Sequence, residues 1–200
     1  MKLYYSPGAC SQPAHIVLHE AGFDHDTESV DIRAKRTASG ADYFAVNAKG
    51  AVPALALDGG EVLTENGAVL QYLGDRSGNE DLLPSSGLDR YRVIEWLSYL
   101  GSDVHKAFGA LWNPASSDEA KQAARDLVGK KFDYMETSLA GGDYLTGSRM
   151  SIADPYLFAM LGWTGMHGID LARWPNLTAF RNRMAQREAV QIVLKAEGLA

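Results

Sequence analysis

The sequence predicts an α/β unit built on a mixed sheet of four strands, followed by an all-α helical bundle. Three observations predict it. The first 75 or so residues alternate between short apolar runs and runs with helical spacing. The stretch RSGNEDLLPSSG, residues 76–87, is rich in Ser, Gly, Pro and Asn and reads as a linker. Nothing beyond it carries a strand pattern.

KLYY, residues 2–5, is the first strand. After a Pro7-Gly8 turn, residues 11–21 place Ala14, Val17, Leu18 and Ala21 at i, i+3, i+4 and i+7, a helix with one buried stripe. ESVDI alternates, with Val30 and Ile32 on one face, and forms the second strand. GADYFAVN is a short, irregular helix. PALAL and EVLT flank Asp58-Gly59-Gly60, a hairpin signal in which glycine supplies positive φ. ENGAVLQYLGDR returns to helical spacing through Ala68, Val69, Tyr72 and Leu73. The βαβ opening implies parallel pairing with a right-handed crossover, and the hairpin adds antiparallel pairing.

Beyond the linker, residues 88–112 read as one long helix. Ser116 and Glu119 form a capping box for a helix ending near Leu139. Ser151 and Asp154 form another, with Pro155 in the first turn, where no amide hydrogen is missed. The helix they open is apolar nearly all round, which places it at the centre of a bundle. PNLTAFRNRMAQ and EAVQIVLKAEG supply two more helices.

The 200 residues are 46% hydrophobic and 22% charged, and they carry a net charge of −6. That balance argues against broad binding to nucleic acid or anionic membrane. No apolar run approaches a membrane span, and MKLYYSPG does not read as a signal peptide. With a single cysteine there is no internal disulfide, which fits a cytoplasmic location. His15 and His19 stand at i, i+4 without Cys or carboxylate partners nearby. Together with His25 they read as surface residues, and no metal is expected.

Three places carry chemistry. Cys10 heads the first helix after a βα turn. It reads either as a small buried hydrophobe or as a functional monothiol whose pKa is lowered by the helix amides. Val52-Pro53 opens a strand. A cis bond there would leave the Val52 amide and carbonyl free to pair with a peptide-like ligand, whereas a trans edge proline would be merely tolerated. Glu65-Asn66 heads the helix after EVLT. It reads either as plain capping or as an acidic side chain beside a helix N-terminus, a pairing that suits the ammonium and carboxylate of an α-amino acid. On the long helix, His105 reads as a solvated residue beside Lys106.

These pieces, in this order, resemble the cytosolic glutathione transferases, most closely the bacterial beta class. The resemblance rests on KLYYSPGACS, DYFAVNAKGAVPAL and LTENGAVLQYL in the first part, and on EWLSYLGSDVHKAF and SIADPYLFAML in the second. It implies a thioredoxin-like glutathione-binding domain over 1–77, a linker over 78–87, and a helical domain over 88–200 that forms the electrophile pocket. Glutathione would be the co-substrate, a small hydrophobic electrophile its partner, and the assembly a homodimer.

The resemblance makes the cis bond expected, with Val52 pairing the cysteinyl part of glutathione. Glu65 and Asn66 would hold the γ-glutamyl end, and Lys35 the glycyl carboxylate. Cys10 and His105 would be the catalytic pair, Cys10 either donating to the glutathione thiolate or forming a mixed disulfide. Tyr4, Tyr5, Ser6 and Ser11 compete with Cys10, because other classes place Tyr or Ser near the start. Ser98, Ser102, Asp103 and Val104 align where the long helix reaches glutathione, partly across a dimer interface. Phe108, Leu111, Trp112, Trp163 and His167 are candidates for the electrophile pocket, although a core or loop role accounts for each as well. Asn66 replaces a smaller residue, often Ser, and Ser98 replaces Asn. Rival readings are glutathione-dependent disulfide reduction or reductive dehalogenation at Cys10, and a non-catalytic binder on the same fold.

Overall fold

The computed structural model describes residues 1–200. β1 (Lys2–Tyr5) is the middle strand, and its Leu3 is fully buried. β1 pairs in parallel with β2 (Asp26–Asp31), with Leu3 opposite Thr27, and the crossover between them is α1 (Gln12–Glu20). On its other side it pairs antiparallel with β4 (Ala54–Ala56), which forms the hairpin with β5 (Val62–Thr64). The sheet is mixed, as expected, but it has five strands. Arg36 and Thr37 form β3, antiparallel to β2, giving the order β3-β2-β1-β4-β5. Two residues are too short a run to show alternation. Ile32 also departs from its expected place on the second strand: β2 ends at Asp31, and Ile32 lies in the exposed turn toward β3.

α1 differs from its expected single stripe. Every residue from Gln12 to Leu18 is buried. The helix is covered by α2 (Asn66–Ser77) on one side and by two helices of the second half on the other. His15, read as a surface residue, is 2% exposed and bonds Glu197 through Nδ1 at 2.9 Å. The segment 78–86 is anchored rather than free. Leu82 and Leu83 are buried, and Leu82 O accepts from Ile152 N at 2.9 Å. A Cβ on Gly74 would stand 2.8 Å from Leu83 Cβ, so glycine is what lets this segment lie against α2.

The long helix expected over 88–112 is segmented. α3 (Gly87–Tyr99) passes into a π-wound turn, Leu100–Val104, then α4 (His105–Ala107) and α5 (Gly109–Trp112). A π turn takes one extra residue per hydrogen bond and re-aims the helix beyond it, a deviation concentrated at functional sites. α6 (Asp118–Leu139) is capped by Ser117 rather than Ser116, its side chain accepting from Ala120 N at 3.2 Å. α7 (Asp154–Trp163) is buried at every position except Gly162. α8 (Pro175–Ala185) and α9 (Glu188–Ala196) complete the bundle. No helix is long and apolar enough to cross a membrane.

A single core cluster runs from Leu3, Ile16 and Leu70 to Leu157, Phe180 and Val190, so the sheet and the bundle share one interior. A small second cluster holds Val30, Tyr43, Val52 and Ala54. Cys10 packs against both.

Candidate active site

The turn between β1 and α1 is held from a distance. Gly8 N donates to Glu197 at 2.8 Å, and Gly8 O accepts from Trp163 Nε1 at 2.8 Å. Ser11 is fully buried and its hydroxyl is tied to Ser6 N and Ser6 O, so that hydroxyl is not free to activate a ligand. Tyr4 packs toward Tyr43 and Tyr5 toward His15. Of the competing residues, Cys10 alone faces a cleft of about 490 Å³ between the β4 edge and the long-helix segments.

The thiol is not in the state expected of a helix N-terminus. Burial pushes Cys10 up to about 11, with the nearby Glu65 charge adding and its own backbone amide opposing. The reason is geometric. Cys10 precedes the first turn of α1, and its Sγ donates to Val52 O at 3.0 Å instead of receiving helix amides. Enclosure between two apolar clusters then disfavours the charged form.

Opposite Cys10, the Val52-Pro53 bond is cis. Ala51 O is held by the Tyr43 hydroxyl at 2.9 Å and by Asn47 Nδ2 at 2.7 Å, which fixes the loop. The Val52 amide donates to no group in the chain. Its carbonyl was expected to be free as well, but it is occupied by the Cys10 thiol. Lys35 lies off the cleft wall, and its Nζ donates to Gly50 O at 2.7 Å.

At the head of α2, the amides of Asn66 and Gly67 donate to no group in the chain. Such free amides carry the partial positive charge of a helix start. Glu65 sits at φ 73°, a conformation that costs a non-glycine residue on the order of 1–3 kcal/mol. Its exposed carboxylate is paired with Lys49. Asn66 is buried and donates from Nδ2 to Cys10 O at 2.6 Å, so its amide nitrogen is not free for a carboxylate. Cys10 O can only accept, which assigns the nitrogen to it and leaves the Asn66 oxygen without that partner. That Oδ1 is buried without a partner.

The third wall comes from the segmented helix. Ser98 and His105 line the cleft. His105 Nδ1 is 2.9 Å from the Tyr156 hydroxyl, and burial holds the imidazole below its ordinary range, so it is neutral near pH 7. This overturns the solvated reading of His105. Ser102 and Asp103 are exposed outside this cleft, and Asp103 is paired with Lys131 at 2.8 Å. Val104 is fully buried and has no exposed side chain to offer a ligand.

The aromatic candidates divide. Trp112 is half-exposed and lines the cleft. Phe108 is fully buried against Phe132 and Trp163, and so belongs to the core. Trp163 is buried and holds Gly8. Leu111 is half-buried against the core. His167 stands 4.4 Å from Trp112, centroid to centroid, behind the cleft wall.

Tyr156 is a site residue that the sequence does not mark. It reads there as one apolar position of a buried helix, and only the packing of α7 behind His105 brings its hydroxyl to the cleft. Burial, with Cys10 and Glu65 nearby, pushes that hydroxyl well above the usual phenol range. Glu197 is equally unmarked, because it acts from the far end of the chain. Together the cleft offers an unpaired strand-edge amide, a helix N-terminus beside a carboxylate, a protonated thiol and a neutral imidazole. These can hold an extended peptide bearing an amino-acid end, with its middle residue against Cys10.

Residues 7–76 match the family model "Glutathione S-transferase, N-terminal domain", and residues 102–188 match "Glutathione S-transferase, C-terminal domain". Over the full length of both chains the sequence is 45% identical to "Glutathione S-transferase GstA" of Escherichia coli O157:H7. The fold superimposes on a sphingomonad glutathione S-transferase complexed with glutathione, with a TM-score of 0.96 and 49% identity, covering all of both chains. It superimposes equally on a bacterial beta class glutathione S-transferase of Sphingomonas chungbukensis, with a TM-score of 0.96 and 48% identity, again covering both chains fully.

Proposed function

Since this chain belongs to the glutathione S-transferase family, in its bacterial beta class, and uses glutathione as co-substrate, we propose that it binds glutathione in the cleft between Pro53 and His105 and transfers it there to small hydrophobic electrophiles. The observation that carries this reading is the convergence of three independent elements on Cys10. They are the free Val52 amide, the free amides of α2 and the neutral His105.

The Val52 amide donates to the cysteinyl carbonyl of glutathione, extending the β4 edge by one peptide. The α2 amides and Glu65 take the carboxylate and ammonium of the γ-glutamyl end, and the buried Asn66 oxygen gains a donor from the same ammonium. Lys35 reaches the glycyl carboxylate on leaving Gly50 O. The glutathione sulfur then lies at Cys10. A thiol held up to about 11 keeps its proton at neutral pH, so Cys10, on leaving Val52 O, donates a hydrogen bond to the glutathione thiolate. Donors aimed at that sulfur lower its pKa and raise the reactive fraction. His105, steadied by Tyr156, faces the sulfur from the other wall. The electrophile enters against Trp112, and its leaving group departs as the carbon–sulfur bond forms.

Ser102 and Asp103 point away from their own cleft, which suits contact with glutathione in the partner of a symmetric homodimer. The work of conjugating reactive electrophiles fits detoxification in the cytoplasm.

Turnover of an aromatic halide with glutathione tests the reading. Glu65→Ala should raise the glutathione Kd about tenfold or more by calorimetry, because hydrogen bonds to charged groups contribute about 1.5–3 kcal/mol. It should change kcat at saturating glutathione much less. Wild-type affinity in that variant would remove Glu65 from the site. Absence of both turnover and retention on immobilised glutathione would overturn the function.

A further inference from the structure

The fold gathers three histidines on the side of α1 away from the cleft. His15 and His19 share one face of the helix, and the chain leaves it at Ala21, turns through Gly22 at φ 67°, and places His25 immediately before β2. One ring nitrogen from each histidine lies within 4.8 Å of the other two. The ring centroids are 5.4 Å apart for His15 and His19, 6.0 Å for His15 and His25, and 4.8 Å for His19 and His25.

Two of the three rings are already oriented. His15 Nδ1 bonds Glu197 Oε1 at 2.9 Å, and His25 Nδ1 bonds Phe23 O at 2.7 Å. A carbonyl and a carboxylate accept, so each ring donates from Nδ1, which leaves Nε2 as the ligand atom of the neutral form. Metal-binding histidines almost always donate the other ring N–H to such a partner. Glu197 is itself fixed, its side chain fully enclosed and bonded by Gly8 N and Gln12 Nε2. The third ring, His19, makes no hydrogen bond in the chain and is half-exposed, so it is free to adjust.

The surrounding charge favours a cation. The last turn of α1 presents the negative end of its dipole here. Asp24 and Asp26 flank His25 in the sequence, and Arg187, which lines a surface pocket with His19, is paired with Glu20.

We propose that His15, His19 and His25 form a three-imidazole site for one divalent transition cation of the zinc type, with solvent in the fourth position. Imidazole sets suit zinc, copper and nickel, and carboxylate-only ions such as magnesium are excluded by the donors. Zinc–nitrogen bonds of about 2.0–2.1 Å place tetrahedral ligand nitrogens about 3.3 Å apart, so rings now within 4.8 Å need close by at most about 1.5 Å. The ion takes no part in glutathione transfer. It would clasp the α1–β2 connection and, through His15 and Glu197, brace the Gly8 turn.

The test uses the full chain without a histidine tag and without glutathione. Cobalt(II) titration reads the tetrahedral d–d absorption, and zinc is titrated against a chromophoric chelator. The expected result is one equivalent bound, no thiolate-to-cobalt charge-transfer band, and affinity at least about tenfold weaker in His19→Gln and in His25→Gln. Both variants should keep wild-type conjugation rates, which shows that they are folded. No stoichiometric binding by the wild type would overturn the site. So would a thiolate band, which would place the metal at Cys10, or affinity unchanged in either variant.

Discussion

At the scale of the residue, Cys10 shows how position and environment can disagree. A thiol just before a helix is expected to be acidic. Here the side chain turns to Val52 O and lies between two apolar clusters, and burial outweighs the helix amides. With a pKa near 11, about one thiol in ten thousand is ionised at pH 7. Alkylation of the free enzyme by iodoacetamide should therefore be slow at pH 7 and rise about tenfold per pH unit to pH 9.5. A rate that is already flat between pH 6 and 8 would show a low thiolate pKa and favour Cys10 as a nucleophile. Asn66 makes a similar point. In the sequence its amide suits a ligand carboxylate, but Cys10 O claims the nitrogen and leaves the oxygen buried without a partner.

At the scale of the element, the Ser151–Asp154 box matters more than its sequence pattern suggests. Asp154 is fully buried and accepts from Leu145 N at 2.9 Å, Ser151 N at 2.7 Å and Ser151 Oγ at 2.8 Å. Asp154→Ala orphans two buried amides, at about 1–3 kcal/mol each, so urea unfolding should show a loss of about 3 kcal/mol or more. A loss under about 1 kcal/mol would mean that water replaces the carboxylate. Burial also pushes the carboxyl up to about 6 against those donors. A carboxyl raised in the folded state contributes fully below the ordinary carboxylate range, and the contribution is lost as pH rises through about 6. Wild-type stability, measured relative to Asp154→Asn, should therefore be greater at pH 4.5 than at pH 7.

At the scale of the whole molecule, the ends of the chain meet at the site. Glu197, just past α9, and Trp163, at the end of α7, hold both polar groups of Gly8, two residues before Cys10. The bundle thus holds the turn that carries Cys10. Leu88, Tyr91 and Tyr134 are more than half exposed, and Phe44 is nearly so, which leaves apolar surface for a second copy. Sedimentation at micromolar concentration should show a dimer whose mass does not change on dilution. A monomer there would leave Ser102 and Asp103 without a role in glutathione binding.

The sequence by itself determined the order of elements, the mixed sheet, the hairpin at Asp58-Gly59-Gly60 and the buried α7. Each depends on periodicity or turn chemistry within a dozen residues. It also singled out Cys10, Val52, Glu65 and His105, which the fold brings to one cleft, because their motifs carry a family resemblance. Tertiary structure alone decided the rest. β3 is too short to alternate, and the π turn leaves no mark on apolar spacing. Tyr156 meets His105 across 51 residues, and Glu197 meets His15 across 182. His25 joins His15 and His19 only because Gly22 turns the chain back. A pKa, a hydrogen-bond partner or a metal geometry depends on which groups are packed within a few ångströms, and distance along the chain does not encode that.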